Sequence, residues 1–246
     1  MATSSKVAFI TGGNRGLGLE TARQLGKQGV TVVIGSRDLE KGAAVAAALK
    51  SDGIAAEAIR FDITKPADYQ EAYDYFDKKY GKLDILINNA GVSRENFFAG
   101  NQTSSTSPDV VRETFETNFF GTVELTQALL PLIKKSPAGR IVNLSSILGS
   151  LALHADPQSP IYAAKVFAYD ASKAALNSFT IHLAHELRDT GIKVNSAHPG
   201  WVKTDMGTDA APMEIPDGAK TSVWLATLPA DGPTGAFIHL EQPLPW

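Results

Sequence analysis

From residue 7 onward, short apolar runs alternate with longer stretches in which apolar residues return every three or four positions. Val7-Ala8-Phe9-Ile10, closed by Thr11-Gly12-Gly13, has the pattern of a buried strand. Residues 16–28 set Leu17, Ala22 and Leu25 on one face and stop at Gly29, which predicts a helix. β-branched residues 30–34 predict a second strand. An Ala-rich helix over 39–50 is ended by Asp52-Gly53, and a third strand covers 55–61. Residues 66–80 read as a helix with Pro66 in its first turn and Gly81 after it. Further strands are predicted at 83–87, 140–144, 192–197 and 236–240. Helices are predicted at 110–134, in two pieces around Gly121, and at 171–188, ended by Gly191. Strand–helix alternation implies βαβ units with right-handed crossovers. The expected fold class is therefore α/β, a doubly wound parallel sheet.

No repeat, charge block or linker divides the 246 residues, so residues 1–246 are predicted to form a single domain. Two stretches look irregular: 93–108, with the polar run Thr103-Ser104-Ser105-Thr106-Ser107, and 151–168, with Pro157 and Pro160. Loops on the carboxyl side of such a sheet are where ligands bind. The chain has no cysteine, which excludes a disulfide framework, a thiolate zinc site, an iron–sulfur cluster and a cysteine nucleophile. A net charge of −3 argues against general affinity for nucleic acid. No apolar run approaches the ~20 residues of a membrane span. Residues 1–6 are short and polar, with no apolar stretch and cleavage site after them. The expectation is a cytoplasmic protein with no membrane or nucleic-acid partner.

Three segments carry candidate chemistry. Thr11-Gly12-Gly13-Asn14-Arg15-Gly16-Leu17-Gly18 lies between a predicted strand and its helix. Glycines there let the backbone approach a pyrophosphate, whose charge the helix N-terminus favours. The spacing of Gly12, Gly16 and Gly18 differs from the common G-x-G-x-x-G, and an ordinary strand–helix turn has the same look. At the end of the second strand, Gly35-Ser36-Arg37-Asp38 bears on the choice of cofactor. Arg37 suits a 2′-phosphate, Ser36 can add a hydroxyl, and Arg15 can be a second positive partner. This favours NADPH over NADH. Asp38 is the counter-argument, unless it caps the following helix. Tyr169 and Lys173 stand four apart, on one helix face, so an ammonium can lower the pKa of a phenol used as acid and base. Tyr75 and Lys79 share that spacing, but inside a helix before the fourth strand; Tyr169 follows an irregular loop after the fifth.

Taken together, these residues resemble the short-chain dehydrogenase/reductase family over nearly the whole chain, which implies a Rossmann-like sheet. Residues 11–18 look like its cofactor loop. Asp62, followed by Ile63, looks like the position beside the adenine. Asn88-Asn89-Ala90-Gly91 looks like its Asn-Asn-Ala-Gly signature. Asn118 stands where the family has a structural and proton-relay asparagine. In Asn143-Leu144-Ser145-Ser146 the second serine matches the catalytic one, and Tyr169 with Lys173 matches the Tyr-x-x-x-Lys pair. Pro199-Gly200-Trp201-Val202-Lys203-Thr204 looks like the nicotinamide-side loop. Asn14-Arg15-Gly16, Asn118-Phe119-Phe120-Gly121-Thr122, the run from Pro199 through Asp205-Met206 and the final Trp246 resemble the carbonyl-reductase branch, which prefers NADPH/NADP+.

The resemblance implies reduction of a small-molecule carbonyl substrate by hydride transfer. Ser146 would orient the carbonyl, Tyr169 would give the proton, Lys173 would lower its pKa and hold ribose, and Asn118 would fix a water. Ser145 and Ser146 can instead merely end a strand, and Asn118 can be a capping or kink residue. His182 and His185 offer two ligands on one helix turn and no evident third, so no metal is expected. Ser146 and Tyr169 are 23 positions apart, where a family member usually has about thirteen. The extra residues fall in 151–168, predicted as a wall of the substrate pocket through Leu151, Leu153, Ile161, Tyr162 and Phe167. They leave monomer and homo-oligomer both open. Two alternatives remain: a 3-oxoacyl-thioester reductase and a non-catalytic NADP(H)-sensing protein.

Overall fold

The computed structural model describes residues 5–97 and 101–246; residues 1–4 and, within the irregular 93–108 segment, 98–100 lie outside the described residues. At its centre is one eight-stranded sheet, built from β1 (Val7–Thr11), β2 (Thr31–Ser36), β3 (Ala56–Arg60), β4 (Ile85–Asn88), β5 (Arg140–Leu144), β6 (Lys193–Ala197), β7 (Phe237–His239) and β8 (Gln242–Pro243). Their order is β3-β2-β1-β4-β5-β6-β7-β8. All pairs are parallel except β7 with β8, a hairpin whose turn residues Leu240 and Glu241 both take left-handed φ. Strand order reverses between β1 and β4, the switch point where a crevice opens at the carboxyl ends.

Successive residues of a strand face opposite sides, and here both sides are apolar. Phe9 of β1 joins Phe61, Phe76, Leu86, Leu125 and Leu129 on one face. Ile10 joins Ala22, Leu25, Ile34, Leu49 and Val223 on the other. The first face is covered by α3 (Pro66–Tyr80), α5 (Gly121–Ile133) and α7 (Phe167–Glu186), the second by α1 (Gly16–Lys27), α2 (Leu39–Ser51) and α8 (Ile215–Ala226), with α4 (Pro108–Phe115) leading into α5.

Four departures from the sequence pattern bear on the site. The break in the 110–134 helix is a π-helical turn, Glu116–Phe120, just before Gly121. α7 starts at Phe167, four residues before the expected 171, so Tyr169 and Lys173 both lie on it. α6 (Leu151–Ala155) gives the irregular 151–168 segment a short helix, capped by the Ser150 hydroxyl. α8 had no sequence expectation; Pro216 near its start and Gly218 behind it dilute the helical signal.

Candidate active site

The glycine turn sits at the switch point. Gly12 and Gly16 hold left-handed φ of 63° and 53°. A side chain at Gly18 would meet Asn89 Nδ2 and the Gly12 carbonyl oxygen, each at 2.6 Å. Asn89 braces this turn from β4, donating to the carbonyls of Thr11 (2.8 Å) and Gly12 (3.2 Å), while the Thr11 hydroxyl accepts the N–H groups of Asn89 and Ala90. No side chain caps α1 and no acid stands in its first turn. Its N-terminal N–H groups and dipole are therefore set to receive an anion.

A cleft of about 1120 Å³ opens over this turn. By strand order, Asp62 and Ile63 after β3 and Arg37 after β2 line one end. Gly12, Asn14, Arg15, Gly16, Leu17 and Gly18 after β1, and Asn89, Ala90 and Gly91 after β4, line the middle. Ser146 after β5 and Pro199, Gly200, Val202 and Thr204 after β6 line the rest, with Tyr169 and Lys173 of α7. Two of the expected residues are not in its wall. Ser36 is 2% exposed, and its hydroxyl donates to the Asp38 carbonyl at 2.7 Å. Ser36 therefore offers no free hydroxyl to a phosphate, because the strand's pleat turns it inward. Asn118 is buried in the π turn, where its side chain holds both the N–H and the C=O of Val92 (2.8 and 2.9 Å) and donates to Ser172 Oγ at 3.0 Å. This side chain takes the kink position that the sequence left open.

Ser146 and Tyr169 both line the cleft, and the nearby Ser146 hydroxyl favours the Tyr169 phenolate. Lys173 Nζ donates to the Leu144 carbonyl at 2.7 Å and lies 5.6 Å from the Tyr169 ring centre. The rival pair sits elsewhere: Tyr75 and Lys79 both bond Glu57 on β3, and neither lines the cleft. The short chain dehydrogenase family model matches residues 6–215. This chain belongs to the short-chain dehydrogenase family.

It is 32% identical to a (+)-neomenthol dehydrogenase of Capsicum annuum, with 98% of this chain and 97% of that one covered. It is 32% identical to carbonyl reductase [NADPH] 1 of Mus musculus, with both chains fully covered. An NADPH-bound carbonyl reductase from chicken fatty liver superposes with a TM-score of 0.84 at 26% identity, covering 99% of this chain and all of that one. As a short-chain dehydrogenase, the protein presents its Tyr-x-x-x-Lys pair buried. Burial pushes the Tyr169 phenol up to about 12, against the Ser146 hydrogen bond and with some help from the Asp170 charge. Burial also pushes Lys173 down to about 8. The expected lowering of the tyrosine by Lys173 is thus not seen in the protein alone. Desolvation is the largest effect on the phenol, and the lysine head is turned to a carbonyl.

Arg15, expected to approach a phosphate, is ion-paired with Asp205 across the cleft mouth. Both side chains are largely exposed, so the pair contributes at most about 1 kcal/mol and a phosphate can replace it. Of the apolar residues expected in the pocket wall, Ile161 lines the cleft, beside Pro160 and Ala164; Leu151, Tyr162 and Phe167 are exposed, and half-buried Leu153 does not line it.

Two residues of this short-chain dehydrogenase had no part in the sequence reading. His198, between β6 and Pro199, accepts at Nδ1 from Ile147 N–H (3.2 Å) and Gly200 N–H (3.4 Å), tying the Ser146 turn to the opposite wall. Burial, with nearby His239, pushes its ring down to about 3, so it stays neutral and can accept. Glu95 reaches the start of α7. A histidine beside Pro-Gly was a visible signal for the first; nothing local pointed to the second. Among the described residues, no group of three or more His, Asp or Glu could hold a metal ion, and no helix is long and apolar enough to cross a membrane.

Proposed function

We propose that this protein reduces ketones or aldehydes to alcohols, reversibly, with NADPH/NADP+ as cofactor and Tyr169 as the proton donor. The observation that carries the reading is that Ser146, Tyr169 and Lys173 line one cleft together with the glycine turn at the uncapped N-terminus of α1, with Lys173 Nζ 5.6 Å from the Tyr169 ring centre. The residues fit such a cofactor. The turn of Gly12, Gly16 and Gly18 leaves room for a pyrophosphate on α1, and exposed Arg37 stands where a 2′-phosphate needs a cation. The cleft exceeds the roughly 300–1,000 Å³ of ordinary ligand pockets, as a dinucleotide with a substrate requires. The printed names of the NADPH carbonyl reductases among its relatives support the same choice.

When bound, NADPH supplies the hydride that reaches the carbonyl carbon. The protein's part is at the oxygen. Ser146 donates a hydrogen bond where negative charge develops. Tyr169 gives its hydroxyl proton to that oxygen and is left as phenolate. A phenol held near 12 is fully protonated at neutral pH, so the acid form is always loaded for reduction. Ser146 and the Lys173 ammonium then stabilise the phenolate. Asn118 keeps the π turn and the strand-end backbone at Val92 in register beside these groups. Lys165, the cation on which an acyl-carrier partner would depend, is held by the His154 carbonyl and ring, which does not favour the thioester alternative.

Tyr169→Phe keeps the ring and removes the proton. We expect kcat to fall about 10²-fold or more, with NADPH affinity nearly unchanged. Tyr75→Phe should leave turnover intact. Near-normal turnover in Tyr169→Phe on a panel of ketones, followed by NADPH absorbance, would overturn the assignment.

A further inference from the structure

Glu95 lies in the segment between β4 and α4, yet its carboxylate reaches the first turn of α7. Oε2 accepts the main-chain N–H of Ala168 at 2.7 Å and of Tyr169 at 3.1 Å. The helix has no cap of its own at this end, because its N-cap residue is Val166. First-turn N–H groups need acceptors, and a carboxylate supplies a charge-assisted one favoured by the helix dipole. The residues joined are more than 70 apart in sequence, so the bond fixes one part of the cleft wall to another.

The same segment is tied at other points. Asn118 grips Val92, the Phe97 ring meets the Tyr169 ring edge-on at 5.3 Å, and Asn101 donates to the Lys165 carbonyl. Its neighbours Arg94 and Phe97 line the cleft; Glu95 does not. A second carboxylate, Asp170, takes the Val166 N–H at 2.9 Å, so two acids serve one helix start. Among the described residues, the other oxygen of each, Glu95 Oε1 and Asp170 Oδ1, is buried without a hydrogen-bond partner. Burial, with the Glu95 charge adding to it, pushes Asp170 up to about 7.

We propose that Glu95 is a positioning residue: its carboxylate fixes the turn of α7 that carries Tyr169, and so aims the phenol at the substrate oxygen. This rests on Tyr169 being the proton donor.

The test compares Glu95→Ala, Glu95→Gln, Tyr169→Phe and the double variant Glu95→Ala/Tyr169→Phe. Glu95→Ala should lower kcat about tenfold while the NADPH dissociation constant, read by fluorescence, stays within about twofold. Glu95→Gln keeps an oxygen that can accept both N–H groups and should recover most of kcat. The double variant should be no slower than Tyr169→Phe, since the two act as one unit. If Glu95→Ala does not fold, Glu95→Met keeps the length without the oxygen and serves in its place. Wild-type kcat in the folded variant, no rescue by Gln, or an additive loss in the double variant would each sink the role of Glu95 alone. Near-normal turnover in Tyr169→Phe would sink the donor assignment, and this role with it.

Discussion

In the proposed function Arg37 is the residue that carries the cofactor choice, because its two neighbours are occupied. Ser36 is buried and bonded to the Asp38 carbonyl. Asp38 caps α2 by accepting the Lys41 N–H at 3.1 Å, and it pairs with the Lys41 ammonium. The backbone bond from Lys41, then its side chain, holds that carboxyl below its ordinary value. Removing the guanidinium in Arg37→Ala should cost NADPH about 1.5–3 kcal/mol, a fall of roughly 10- to 150-fold in kcat/KM, and leave NADH unchanged. A wild type that prefers NADH on one ketone would show that another group sets the choice. The helix-capping use of Asp38 was legible, since an acid directly before an Ala-rich helix is a cap signal. The loss of Ser36 was not, because the sequence shows a hydroxyl but not which side of the pleat receives it. The same limit applies to Tyr169: the Tyr-x-x-x-Lys spacing was readable, but not the burial that raises the phenol.

At the scale of elements, what the sequence concealed was held by distant partners. α7 begins four residues early because its cap comes from Glu95, so no Ser, Thr, Asp or Asn marks the spot. The π turn at Glu116–Phe120 was readable only as a break; its position follows from Asn118 gripping Val92. β1, β5, α3 and the glycine turn between β1 and α1 were legible because their signals are local: an apolar run, a proline at the start, a glycine at the end. The 151–168 segment mixes both. Ile161, with Pro160 and Ala164, forms wall, whereas Leu151 and Tyr162 face outward. Its base is pinned where the Ala152 N–H meets the Trp246 carbonyl at 2.9 Å. Deleting residues 157–163, with a short Gly linker, should change the order of preference among ketones more than the KM for NADPH. An unchanged order with a lower thermal midpoint would make the segment a brace.

Across the whole molecule, buried groups in and beside the cleft also set how stability responds to pH. Two of them pull in opposite directions. His198, held down at about 3 from an ordinary 6.5, stays neutral in the folded protein while the unfolded chain takes up a proton. Its contribution is full above 6.5 and is lost as pH falls toward 3. Asp170, raised from 3.8 to about 7, keeps its proton in the folded protein after the unfolded chain has released it. Its contribution is full below 3.8 and is lost as pH rises through 7. Between about pH 4 and 6.5 the two slopes oppose, each at most about 1.4 kcal/mol per pH unit. Asp170→Asn keeps an oxygen for the Val166 N–H and abolishes one slope. The variant should gain stability over the wild type steadily from pH 4 to 7, by an amount on the order of a few kcal/mol at the top of that range. Glu95, His154 and Lys165 face the same carboxyl; Glu95 raises its affinity for a proton and Lys165 lowers it, so both stay unchanged in the comparison. Urea unfolding of the two proteins at intervals across this range reads the gap directly. A gap that stays constant with pH would mean that Asp170 is ionised in the folded state and that burial does not hold its proton.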